Sequence, residues 1–237
     1  MNRLLTVERL ESFYGPSQIL HGVSLAVRPG EQVALIGRNG MGKTTLLRSL
    51  MGLVPRVQGT IELNGNSIRG KKPEAISQAG VAFVPEGRGV FGSLSVIENL
   101  VMAARAGRDG KRGWTLERVL SVFPRLAQRR GNGGHQLSGG EQQMLTIGRA
   151  LMTNPDIILI DEATEGLAPL VADEIWRTLA VIRGEGIATI VVDKDIKNLS
   201  KVADRMVVMS KGGVEFDGAP AELLAQPELL ERHLGLH

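Results

Sequence analysis

The sequence contains no cysteine, which excludes disulfides and thiolate metal sites and is compatible with a reducing compartment. Its four histidines, at positions 21, 135, 233 and 237, show no metal-ligand spacing. Aromatic residues make up 3% of the chain, with a single tyrosine, so base stacking on single-stranded nucleic acid has little to work with and no nucleic-acid partner is expected. No apolar run approaches the ~18 residues of a membrane-spanning helix. The start, MNRLLTVERL, lacks the long apolar segment and cleavage site of a secretory signal. What is present is 237 residues, 43% hydrophobic and 22% charged, enough for one substantial core with a subdomain inserted into it.

The net charge of +3 is unevenly spread. Residues 105–130 hold eight basic side chains (Arg105, Arg108, Lys111, Arg112, Arg118, Arg125, Arg129 and Arg130) against Asp109 and Glu117, and the remainder is slightly acidic. Such a run is either a solvated helical face or a positive patch for anionic lipid headgroups or an acidic partner.

Apolar, β-branched runs recur along the chain: LLTVERL, QVALIG, TIELNG, VAFVPE, DIILID, ATIVVD, RMVVMS and GVEFDG. Several are continuous rather than alternating, as in strands buried on both faces. Helical patterns such as KTTLLRSLMGL, EQQMLTIGRALM and VADEIWRTLAVIRGEG separate many of them, which predicts a largely parallel sheet. LTVERLESFY with SLAVRPG, and MVVMSKGGVEFDG around its Lys-Gly-Gly turn, predict antiparallel pieces contributed mainly by the two ends of the chain. From about 88 to 145 the pattern is helical.

Strand QVALI runs into Gly37, Arg38, Asn39, Gly40, Met41, Gly42, Lys43 and Thr44, then a helix that includes Thr45. This is a phosphate loop, G-x-x-x-x-G-K-T, between the strand and the helix it requires. Its glycines allow successive N–H groups to turn toward phosphate, and the helix start adds its positive end. Lys43 is placed for the β- and γ-phosphates and Thr44 for Mg²⁺. Downstream, DIILI delivers Asp161 and Glu162: the first suits a hydrated Mg²⁺, the second a water poised for in-line attack. A third stretch, Leu137-Ser138-Gly139-Gly140-Glu141, is a capping box, and the helix start it marks leaves N–H groups free for an anion. The interval from Ser138 to Asp161 fits one helix, a turn and a strand.

In order and spacing these three motifs resemble the nucleotide-binding subunits of ATP-binding cassette (ABC) transporters over essentially the full length. The resemblance implies one nucleotide-binding domain over residues 1–237. Its fold would be α/β, with a P-loop (RecA-like) parallel-sheet core, an antiparallel β subdomain and an inserted helical subdomain at approximately 88–145. It implies hydrolysis of ATP with Mg²⁺, and a homodimer, or a heterodimer with a paralogous cassette. In that dimer Ser138, Gly139, Gly140 and Glu141 of one subunit would close on the γ-phosphate at the phosphate loop of the other. Tyr14 matches the aromatic that stacks on adenine. Glu86 stands where most of the family has a glutamine joining Mg²⁺ and the attacking water to the transmembrane partner. VPEGRGVFGSLSVIENL with DEATEGLAP resembles the branched-chain amino acid importer group. That implies transmembrane permease subunits, a periplasmic binding protein acting indirectly, and a cytoplasmic place on the inner face of the membrane. Ala163, where proline is usual, and Ala168, where many members carry aspartate, depart from the wider family. Lipid or lipopolysaccharide export is the alternative, as is a non-transport cassette, although the interval between Lys43 and Asp161 leaves no room for a long coiled coil.

Lys194, at the tip of ATIVVD, falls where most of the family has a histidine on the γ-phosphate. Two readings stand: a fixed positive charge offered to that phosphate, or a side chain drawn to Asp193, Asp195 or solvent.

Overall fold

The computed structural model describes residues 3–234. Among the described residues, ten strands form two sheets and ten α-helices pack around them. The strands are β1 (Leu5–Tyr14), β2 (Ser17–Val27), β3 (Gln32–Ile36), β4 (Arg56–Leu63), β5 (Asn66–Ser67), β6 (Val81–Val84), β7 (Ile157–Asp161), β8 (Ala188–Val192), β9 (Arg205–Ser210) and β10 (Gly213–Gly218). Six form a sheet in the order β10-β9-β3-β8-β7-β6, parallel except for the antiparallel pair β9–β10. The other four form an antiparallel sheet, β2-β1-β4-β5.

The continuous apolar runs are explained by this layering. Every residue of β3, β7 and β8 is buried, and their side chains alternate between two cores. Ala34, Ile36, Ile158 and Ile160 face one, which also holds Met144, Ile147, Ile175 and Leu179. Val33, Leu35, Ile157, Leu159 and Ile190 face the other, shared with Leu46, Leu47, Leu50 and, from the antiparallel sheet, Leu5, Val7, Leu10 and Ile61. A strand between two cores has no polar face to offer.

The helices are α1 (Lys43–Leu50), α2 (Pro73–Gln78), α3 (Val96–Val101), α4 (Leu116–Val122), α5 (Pro124–Gln128), α6 (Gly139–Leu151), α7 (Pro169–Gly184), α8 (Ile196–Val202), α9 (Pro220–Leu224) and α10 (Pro227–Leu234). Between β6 and β7 the described residues form only helices, loops and one isolated bridge, Ser95 to Gly133. The basic run there is largely answered. Arg108 pairs with Asp156, Lys111 with Asp109, Arg118 with Glu185, Arg125 with Glu174 and Arg129 with Glu141.

One expectation is corrected. The C-terminal hairpin β9–β10 does not join the antiparallel sheet; β9 runs parallel to β3, with Val33 opposite Arg205 and Ile36 opposite Val208. The antiparallel sheet is completed instead by β4, whose Ile61 lies opposite Val7. Met206, Val207, Val208 and Met209 are all fully buried, and a strand without a polar face belongs inside the central sheet rather than in a half-exposed one.

Candidate nucleotide site

The parallel strands β3, β6, β7 and β8 deliver their C-terminal ends to one edge, where loops collect functional groups. After β3, Gly37, Gly40 and Gly42 adopt φ of 148°, 78° and 99°, conformations a Cβ resists. A Cβ at Gly37 would also stand 2.4 Å from the Met209 carbonyl oxygen. Gly42 caps α1 with no side-chain hydrogen bond, so the first-turn N–H groups of the helix are left for an external acceptor. The Lys43 Nζ donates to the carbonyl oxygens of Gly37 at 2.6 Å and Arg38 at 2.9 Å. Burial lowers its pKa; Asp161 opposes that shift and Lys194 reinforces it.

Asp161 closes β7 and is 1% exposed. Its Oδ1 accepts a hydrogen bond from the Thr44 hydroxyl at 3.2 Å, whereas Oδ2 is buried without a partner. Burial raises its pKa most; the Thr44 hydrogen bond opposes this, Glu86 adds to it, and Arg48 and Lys43 counter it. An orphaned carboxylate oxygen beside a hydroxyl, in a site crowded with negative charge, is the donor set a hard divalent cation takes.

Glu162 follows with φ 54°, an uncommon left-handed conformation for a side chain of this size. Its Oε2 is also buried without a partner. A cavity of about 420 Å³ is lined by Asn39, Gly40, Gly42, Lys43, Thr44, Thr45, Glu86, Glu162 and, at its walls, Ile19 and Val192. Phosphate loop, Asp161 neighbourhood and Glu86 are thus brought together. Glu86, Glu162 and Glu165 can set one carboxylate oxygen each within 4.8 Å of one another.

Lys194 pairs with neither of its aspartate neighbours. Asp193 is occupied: Oδ2 accepts from the N–H and hydroxyl of Thr164 at 2.7 and 2.8 Å, and Oδ1 from the Asp195 N–H at 2.9 Å. Asp195 caps α8 through the N–H of Asn198. With both carboxylates already taken by backbone N–H groups, the Thr164 hydroxyl and the Asn198 side-chain amide, the Lys194 ammonium bonds Glu165 instead. Glu165, 29 positions away, was not singled out from the sequence. A charged residue beside the catalytic-looking Asp161-Glu162 pair was the only signal for it.

Of the expected groups, Lys194, Asp161, Gly37, Arg38 and Met41 do not line the cavity, and neither do Tyr14 and the Ser138-to-Glu141 stretch. Tyr14 ends β1 and is 37% exposed. The Ser138-to-Glu141 stretch stands at the start of α6 and does not line that cavity. There the Ser138 N–H donates to Glu141 Oε2 at 2.8 Å and the Glu141 N–H to Ser138 Oγ at 3.3 Å, the reciprocal capping box. Gly140 is required by packing, since a Cβ would meet Val171 Cγ1 at 2.2 Å. Arg38, Met41 and Gly139 complete the two loops.

A model of the ABC transporter family matches residues 20–165. The high-affinity branched-chain amino acid transport ATP-binding protein BraG of Pseudomonas aeruginosa is 38% identical over 98% of this chain and 100% of its own. The lipopolysaccharide export system ATP-binding protein LptB of Escherichia coli K12 is 30% identical over 98% and 97%. Among solved structures, an ATP-binding subunit of an ABC transporter is 28% identical with a TM-score of 0.80, covering 95% of this chain and 94% of that one. A nucleotide-free ATP-binding cassette matches at 24% identity with a TM-score of 0.84 over 99% of both chains, a likeness of fold. The family model, the relatives and the α/β architecture agree, and the chain belongs to the ABC transporter family as one of its ATP-binding subunits.

Proposed function

We propose that this chain hydrolyses ATP to drive import of branched-chain amino acids or a related small polar solute through separate permease subunits. The observation that carries the solute class is the 38% identity to BraG along the whole chain, supported by Glu86 in VPEGRGVF and by EGLAP. The 30% identity to LptB keeps lipopolysaccharide export as the second reading.

In this reading residues 1–237 act as one nucleotide-binding domain, with about 88–145 as its helical subdomain. Lys43 exchanges its carbonyl partners for the β- and γ-phosphates, and the N–H groups from Gly37 to Thr45 cradle them. Thr44 and Asp161 would hold Mg²⁺, with Glu86 beside them, and the ion would supply charge neutralisation to the phosphate oxygens. Glu162 accepts the proton of the attacking water; its buried Oε2 has no partner among the described residues and is free to take it. Tyr14 faces adenine. The Ser138–Glu141 turn completes the site of a second cassette, a copy of this chain or a paralogue, so that hydrolysis follows closure. No helix among the described residues is long and apolar enough to cross a membrane. The proposal puts the protein at the inner face through its permeases, with a periplasmic binding protein acting indirectly.

Deleting the gene tests the solute class. Uptake of radiolabelled leucine, isoleucine or valine should fall and be restored by the wild-type gene but not by Lys43→Ala. Undiminished uptake of all three, with lipopolysaccharide delivery impaired, would move the assignment to export. Phosphate release by purified protein, with and without Mg²⁺, tests the chemistry.

A further inference from the structure

The loop after β6 carries a cation that the site so far leaves unused. Arg88 has φ 67°, and its half-buried side chain lies on the first turn of α6. The guanidinium fills the place where a Cβ at residue 139 would stand, with Nη1 2.6 Å and Nη2 2.8 Å from that point. Gly139 does not have a left-handed φ that would demand glycine; what a side chain there would displace is Arg88.

Its backbone is clamped. The Thr146 hydroxyl donates to the Arg88 carbonyl oxygen, and Arg149 Nη1 donates to the Gly89 carbonyl oxygen at 2.6 Å. The Arg149 guanidinium also stacks on Phe91 at 4.7 Å. Both donors belong to α6, so the loop that reaches Glu86 is bolted to the helix that begins at Ser138. Yet among the described residues the Arg88 guanidinium has no carboxylate partner and donates no hydrogen bond. The nearby Glu141 is turned to the Ser138 N–H and, at 3.8 Å, to Arg129. None of its nitrogens is buried without a partner, so water reaches a cation whose five N–H donors have no protein acceptor and can be turned to an anion.

We infer that Arg88 is an anion-binding residue at the start of α6, contributing a fixed charge to the surface that receives the γ-phosphate held by the phosphate loop of a second copy of this chain. This rests on the composite dimer site proposed above. The helix terminus alone offers about half a charge; a planar guanidinium beside it adds a full charge and donors matched to phosphate oxygens.

The test uses the full chain in a Glu162→Gln background, which prevents turnover, and compares Arg88→Gln and Arg88→Lys with that parent. Titration of dilute protein with fluorescent ATP reads the site formed by one chain. Analytical ultracentrifugation with Mg-ATP reads dimerisation. Arg88→Gln should bind ATP as the parent does, while the protein concentration for half-dimerisation rises by about a hundredfold or more, because a dimer of two copies loses two charge-assisted contacts of about tenfold or more each. Arg88→Lys should recover part of that loss. Unchanged dimerisation of Arg88→Gln overturns the inference. So does an equal loss in both variants accompanied by a lower melting temperature, which would mark Arg88 as packing alone. A parent that stays monomeric in Mg-ATP overturns the dimer reading and this inference with it, whereas a parent and Arg88→Gln that dimerise equally overturn only the inference.

Discussion

Removing Lys194 and Glu165 together, as Lys194→Ala/Glu165→Gln, asks whether the lysine reads the γ-phosphate or only balances a carboxylate. The ion pair leaves its side chains 56% and 46% exposed, and a pair that open to solvent contributes about 0.2–1 kcal/mol to stability. A direct charge-assisted contact with the γ-phosphate would be larger, about 1.5–3 kcal/mol, or tenfold to over a hundredfold in affinity for ATP with none for ADP. The single variant Lys194→Ala confounds the two effects. It frees Glu165 beside Glu86 and Glu162, which lie within reach of one another, and the added negative charge alone would repel ATP. The double variant is neutral in charge change and removes that complication. Because Glu165 satisfies the ammonium, the ratio of ATP to ADP affinity should move by less than about threefold, roughly 0.6 kcal/mol. Lys194→Ala alone should weaken ATP more than the double variant does. Isothermal titration of each nucleotide in a Glu162→Gln background measures both. A selective loss of ATP affinity of about tenfold or more in the double variant would refute this reasoning and put Lys194 on the phosphate.

Asp161→Asn removes a buried charge whose Oδ2 lacks a partner, so the nucleotide-free protein should become more stable by about 1–2 kcal/mol in urea unfolding while Mg²⁺-dependent hydrolysis is lost. Ser138→Ala should cost about 0.5–2 kcal/mol through the lost cap; turnover should fall much further than folding does, with ATP binding to the single chain intact in a fluorescence titration. Glu162→Gln should bind Mg-ATP and accumulate as a dimer on size exclusion, and phosphate release near the wild-type rate would place the base elsewhere.

The parts of the site that could be read from the sequence are those written in consecutive residues. A phosphate loop needs glycines at fixed offsets because single N–H groups must turn, and a capping box fixes Ser138 and Glu141 three apart, so each leaves a local signature. The helix patterns beginning at Lys43, Glu141 and Val171 were equally local; they begin inside α1, α6 and α7 and overrun the ends of those helices by three, one and two residues. Sheet membership was not local. RMVVMS carries the same apolar signal whichever sheet it joins, and only the two cores flanking β9 decide it. The Lys194–Glu165 pair was hidden for a related reason. Asp193 and Asp195 looked available until their oxygens were found bonded to Thr164, Asp195 and Asn198. Competition between carboxylates for one ammonium is settled by backbone donors that a sequence does not display.

Two helices here start with the same device, and the difference between them bears on Ser138. At α3 the Ser95 hydroxyl both accepts from the Glu98 N–H at 3.2 Å and donates to Glu98 Oε2 at 2.7 Å, so its proton is consumed. At α6 the Ser138 oxygen accepts from Glu141 in the same way, but among the described residues its proton has no acceptor, and the other oxygen of Glu141 faces Arg129 at 3.8 Å. A hydroxyl is one donor and two acceptors. Capping α6 therefore uses only the lone pairs of Ser138, and an incoming phosphate oxygen can take the proton without unfastening the helix. A threonine could divide its bonding in the same way. Asparagine or aspartate, equally good caps, could not: ionised aspartate has no proton to give, and the amide donor of asparagine sits on a different atom from the oxygen that caps.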